Sequence, residues 1–222
     1  MSASEDHEMA YPSVAMEITK RLLVCENALS GLSAEPTHND AWISADLVAL
    51  QLRKICEMLL LGSSLAHLFA GSENFDPRKW RPKDAFAELE KINEHPLPAP
   101  IEITDLDASS EGRRIKPLSK PLPFSLLSEI YGQCGNLLHV PSAEKVLNGK
   151  VPPFDIVRFR QWILGLKRLM SGHILLLPEM QKILLCIWIG KEAEPPQIYL
   201  MEADGPVSFD TSILPEFDLF AQ

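Results

Sequence analysis

The chain has no glycine-rich phosphate loop of the Walker or dinucleotide type, no GxSxG elbow, no HExxH and no paired Cys/His zinc spacing. The best-known routes to nucleotide, hydrolase and zinc-protease chemistry are therefore not written in it. Cysteine is scarce: Cys25, Cys56, Cys134 and Cys186 show no CxxC or other close spacing. Three lie in strongly apolar or helical contexts, so they read as reduced, buried thiols rather than disulfides or metal ligands. Long uncharged apolar runs are also missing, and none approaches the roughly 18–20 residues of a membrane span. The opening MSASEDHEMAYPS lacks the basic and apolar regions of a signal peptide. The expectation is a cytoplasmic protein that does not enter membranes. Positive charge is in deficit, with a net charge of −9 and a pI of about 5.2. That balance argues against broad, non-specific binding to nucleic acid.

What is present reads as one globular body. The chain has 222 residues, of which 46% are hydrophobic, an ordinary supply for one core. Residues 1–11 read as a flexible tail. Apolar residues at helical spacing predict helices from Pro12 to about Gly31, from Asn39 or Asp40 to about Ala70 with Gly71 as the stop, and over residues 82–94. Six prolines then exclude a helix from residues 95–123. There IEITDLD alternates and either pairs with RRIKPL as a short hairpin or belongs to a long exposed loop. FSLLSEIYGQCGNLLHV is helical by pattern, and Asp155 opens a further amphipathic helix, IVRFRQWILGLKRLMSG. After Gly172 the period changes. HILLL, KILLCIWI and QIYLMEA read as two hairpin-linked strands and a third returning strand, with KILLCIWI as the covered central one. The remaining tail is expected to strap onto the body. The fold class is α+β: a helical body of about five helices over 12–172, then a small three-stranded antiparallel sheet and strap over 173–222.

The stretch LRKICEMLLLGSSLAH, 52–67, poses the chemical question. It is apolar nearly all round yet carries Arg53, Glu57 and His67. At about 100° per residue, Asp46, Arg53, Glu57 and Ser64 fall close to one line along the helix, with His67 to one side. Two readings follow. Either the stripe meets water, or it faces a neighbouring helix and lines a polar pocket. In the second case the charges must be paired and hydrogen-bonded.

A second stretch, EIYGQCGNLLH, sets Ser128, Tyr131, Gly132, Gly135 and His139 on one broad helix face. Glycines cost about 1 kcal/mol each against alanine in a helix interior, a cost often accepted for the close approach of a backbone or ligand. His139 stands where it can end the helix before Pro141. Arg53-x-x-x-Glu57, then Ala66-His67, the proline-rich stretch, and Tyr131-x-x-Cys134-Gly135-x-Leu137-Leu138-His139 together resemble a group of bacterial proteins loosely similar to HEPN-type helical domains. The resemblance covers roughly residues 40–140. Such domains include ribonucleases of defence and toxin–antitoxin systems, and inactive nucleotide- or protein-binding relatives. The ribonuclease signature places a His four to six residues after an Arg on one helix. Here thirteen residues separate Arg53 from His67, about 20 Å along a helix, so that signature is absent.

The leading expectation is a non-catalytic module that works through oligomerisation or a protein partner. The alternative is a metal-independent nuclease or a small-ligand-binding protein. Its polar pocket would lie between helices 40–70 and 124–140. Arg53 would stabilise phosphate charge, His67 or His139 would move protons, and Glu57 and Tyr131 would orient them. Ser64 and Asn136 complete the ligand-binding candidates. No cofactor is implied and no metal is expected, because Glu57 and His67 stand too far apart on one helix to share an ion. Nucleic acid has one candidate surface, the basic face carrying Arg158, Arg160, Lys167 and Arg168.

Overall fold

A computed structural model describes residues 10–30, 32, 39–72, 82–105, 113–139, 147, 154–188 and 194–218. Among the described residues the elements run α1 (Ala10–Ser30), α2 (Asn39–Phe69), α3 (Pro82–Ile92), β1 (Ala99–Asp105), β2 (Arg113–Pro117), α4 (Phe124–Leu138), α5 (Ile156–Ser171), β3 (Gly172–Leu177), a 3-10 turn (Pro178–Met180), β4 (Lys182–Ile187) and β5 (Gln197–Glu202).

The class is α+β as expected, but the sheet is larger. It has five antiparallel strands in the order β2-β1-β3-β4-β5. The expected three-stranded sheet is its C-terminal part. The proline-rich stretch supplies the other two strands, so strands interleave with helices. The hairpin pairs Ile101 with Pro117 and Asp105 with Arg113, and Ala99 and Pro100 dock against Ile174 and His173 of β3. Proline lacks an N–H but keeps its carbonyl, and the hairpin uses this. The Pro100 carbonyl accepts from Leu118 N–H and the Pro98 carbonyl from Leu122 N–H, both at 2.9 Å. The turn between β1 and β2 lies outside the described residues.

With two strands added on its far side, β3 is the central strand and β4 sits next to it. Every residue of β3 is buried. Period-2 alternation divides the sheet's apolar side chains between two clusters. Leu175, Leu177, Leu184 and Cys186 face the helices and join the main core with Trp162, Phe159, Leu52 and Ile55. Ile174, Leu176, Leu185, Ile187 and Ile101 face the other way, where Val207 of the C-terminal strap covers part of them. The strap is held by a hydrogen bond from Lys120 N–H to the Pro215 carbonyl at 2.8 Å.

Helix ends follow local chemistry. Asp155 caps α5 by accepting from Arg158 N–H at 3.0 Å. Gly71, at φ 101°, ends α2 in a paired closure: Ser72 N–H reaches the His67 carbonyl and Gly71 N–H the Leu68 carbonyl. That is the Schellman arrangement, which favours glycine because a side chain at positive φ is strained. The α1 helix begins earlier than the expected tail boundary. Ala10 and Tyr11 belong to it, and Tyr11 is buried in the core, while residues 1–9 lie outside the described ones.

Candidate functional site

Two antiparallel contacts fix α2, the longest helix. On one side α1 runs against it, with the Tyr11 ring lying over Gly62 and Arg21 Nη1 donating to Gln51 at 2.7 Å. On the other side α4 runs against it in the opposite sense. The Cys56 thiol donates to the Leu127 carbonyl at 3.7 Å, Tyr131 meets Arg53 and Glu57, and Gly135 backs onto the Arg53 tip.

At this second seam the polar stripe turns inward, partly. Arg53 Nη2 donates to the Tyr131 hydroxyl at 2.8 Å, and its guanidinium carbon lies 4.5 Å from the ring centroid. The hydroxyl in turn donates to Glu57 Oε1 at 3.4 Å, and Arg53 Nε stands 3.9 Å from the same oxygen. Lys54 Nζ holds the other carboxylate oxygen at 2.9 Å. The Arg53 and Glu57 side chains keep 30% and 19% of their exposure. They are neither free in water nor sealed inside, so the cluster is a screened clamp between two helices. Beside it a groove of about 250 Å³ opens between α2 and α4, lined by Cys56, Glu57, Leu60, Phe124, Leu127, Ser128 and Tyr131. Burial pushes the Cys56 thiol well above its ordinary pKa, with the neighbouring Cys134 and Glu57 adding to it.

The other candidates do not gather there. His67 is buried and belongs to a different network. Its Nδ1–H donates to the Ser63 carbonyl at 2.9 Å, which leaves Nε2 to accept from Asn93 Nδ2 at 3.4 Å. The same Asn93 nitrogen donates to the Leu176 carbonyl at 2.7 Å and ties α2 to β3. Desolvation lowers the His67 pKa, as suits a neutral imidazole. Ser64 is fully buried and donates back to the Leu60 carbonyl. Asn136 is exposed. His139 ends α4, its backbone N–H bonded to the Gly135 carbonyl and its side chain exposed. Of the two glycines, Gly135 meets Arg53 Nη1 at 3.4 Å from an added Cβ, whereas Gly132 has nothing within 4 Å. Close approach therefore explains one glycine and not the other.

A polar pair that the pattern did not single out lies deeper. Tyr11 donates its hydroxyl to His173 Nε2 at 2.8 Å, and His173 Nδ1–H donates to the Leu169 carbonyl at 3.2 Å. Burial pulls the His173 imidazole down to about 4. The available signal was position: His173 is the second residue after α5, where a ring nitrogen can reach back one turn to a helix carbonyl that has lost its partner.

The basic face of α5 is largely occupied. Arg158 pairs with Glu129 at 2.8 Å and lies over the Trp162 ring, and Lys167 pairs with Glu26 at 2.7 Å. Arg160 donates to the Leu29 and Leu32 carbonyls at the C-terminal end of α1, a helix-capping role. Arg168 also makes an interaction. No group of three or more His, Cys, Asp or Glu among the described residues is arranged to hold a metal ion. No described helix is long and apolar enough to cross a membrane.

The outward face of α2, between its α1 and α4 seams, has a different character. Ile43, Leu47 and Leu50 repeat at helical spacing there and are 71, 39 and 43% exposed, with Trp42 beside them at 48%. Asp46 and Lys54 border the stripe and are exposed too. No protein-family model, curated protein or solved structure matches this chain.

Proposed function

We propose that the chain is a non-catalytic interaction module whose working surface is the outward face of α2. The observation that carries this reading is the run of Trp42, Ile43, Leu47 and Leu50, large apolar side chains in water on a helix of 31 residues clamped along both flanks. Single exposed apolar residues are ordinary, but a contiguous stripe at i, i+4, i+7 marks a helix face that meets another protein. The Arg53–Tyr131–Glu57 cluster supports the reading by default of the alternative. Arg53 is committed to a tyrosine and a carboxylate, and His67 lies about 20 Å further along the same helix in a separate network.

The test is a photoreactive phenylalanine analogue placed at Ile43 and activated in cells that express the full chain. The reading predicts a discrete adduct heavier than the chain, with none from the same analogue at exposed Ile213. An unmodified monomer from both positions overturns it.

A second reading is favoured by the α2–α4 groove, whose apolar walls end at Glu57, Ser128 and Tyr131. Apolar grooves with a few convergent polar groups suit small amphipathic ligands. A panel of small amphipathic amines, whose ammonium would face Glu57, should raise the melting temperature of the wild type and not of Ser128→Phe. A panel that shifts neither removes this reading.

A further inference from the structure

We infer that the occupant of the α2 face is a second copy of this chain, docked antiparallel about a two-fold axis that passes between Leu47 and Leu50. The inference rests on the proposed interaction face and adds the partner to it. Its basis is self-complementarity, the condition that a two-fold interface must meet. An axis midway between Leu47 and Leu50 pairs position i with position 97 − i. Leu47 then packs against the partner's Leu50, and Leu50 against the partner's Leu47. Ile43 falls opposite the partner's Lys54, whose aliphatic stem can cover it.

Asp46 and Lys54 agree with this register. Asp46 stands three positions from Ile43, about 4.5 Å along the axis from the level of the partner's Lys54. Helix side chains slant toward their own N-terminus, so in an antiparallel pair the Asp46 carboxylate and the partner's Lys54 ammonium lean toward each other. Lys54 is half exposed in the single chain, where it pairs with Glu57 of the same helix at 2.9 Å. A parallel pairing in register sets Asp46 against Asp46 and Lys54 against Lys54, which like charges oppose. One helix face buries less than the roughly 800 Å² per partner of a standard interface, so the dimer belongs with the small, transient associations.

The experiment is sedimentation equilibrium on the full chain with Asp46→Lys, Lys54→Asp and their equimolar mixture, circular dichroism confirming that each variant is folded. The wild type is expected to be a reversible dimer. Each variant alone sets like charges face to face and should dissociate about tenfold or more readily. In the mixture both cross-chain pairs between positions 46 and 54 are again opposite in sign, so a heterodimer should return at near wild-type strength. Leu50→Glu, at the centre of the face, should be monomeric whatever it is mixed with. A wild type that stays monomeric at all concentrations overturns the inference. So does a dimer that both charge variants retain when alone. An in-cell adduct from Ile43 to a different protein overturns it while leaving the interaction reading in place; the absence of any adduct removes both.

Discussion

Arg53 holds Tyr131 twice, by a hydrogen bond of 2.8 Å to its hydroxyl and by a guanidinium 4.5 Å from its ring centroid. The two contacts act differently and separate by mutation. Tyr131→Phe keeps the ring and removes the hydroxyl that bridges Arg53 and Glu57. It should cost about 1 kcal/mol, less than the roughly 1.5–3 kcal/mol of a sheltered hydrogen bond to a charged group, because the cluster is partly wet. Tyr131→Ala removes ring packing as well and should cost about 2–3 kcal/mol. Urea unfolding of the two variants checks the order. Equal losses would mean that the ring adds nothing beyond its hydroxyl.

Gly132 and Gly135 separate in the same way. An added Cβ at Gly132 meets nothing, so Gly132→Ala should stabilise the chain by about 0.5–1 kcal/mol through helix propensity alone. At Gly135 the added carbon touches the Arg53 tip at 3.4 Å, and the gain should be smaller. Denaturation midpoints of the two variants, measured side by side, test this. A loss of stability in Gly132→Ala contradicts the open space seen there.

Much of the fold was legible because periodicity reports which faces are buried. The boundaries of α2, α4 and α5, the Asp155 cap and the Gly71 stop all follow from side-chain chemistry within a turn or two. The β1–β2 hairpin reads equally as strand or loop in the sequence because its prolines weaken any strand signal. Its place in the sheet depends on carbonyls, which all residues share. The inward turn of Arg53 and Glu57 could be posed but not decided, since it depends on where α4 lies. Tyr11 and His173 escape the sequence pattern because their partnership spans 162 residues and no local pattern records it. The exposed α2 stripe was hidden too: its residues have the same periodicity as a buried face.

His173 should make stability fall in mild acid. Its imidazole ionises at about 4 in the folded chain against 6.5 when unfolded, so the unfolded state binds more protons between those values. Stability is full above pH 6.5 and declines as pH falls toward 4, by roughly 3 kcal/mol from this group. His67, lowered in the same direction, adds to the effect. The comparison is the difference in unfolding free energy between pH 7.5 and pH 4.5, for wild type and for His173→Gln. The variant should lose a sizeable part of the pH dependence, and an unchanged difference would contradict the burial of a neutral imidazole.

The four thiols should be silent in the native state. All are buried, and burial pushes Cys25 and Cys134 up to about 12 and Cys56 and Cys186 upward as well. Thiolate is the reacting form, so an aromatic disulfide reagent should modify none quickly and all four once denaturant is added. A fast native phase would place at least one of them at the surface.

Hydroxyl-radical labelling compares the α2 face most directly in its two settings, dilute purified protein and the living cell. The interaction reading predicts that Ile43, Leu47 and Leu50 label readily in dilute solution and become protected in the cell, while exposed Leu164 and Ile213 label alike in both. Equal labelling of the α2 residues in the two settings would show a helix face that nothing covers, and would contradict it.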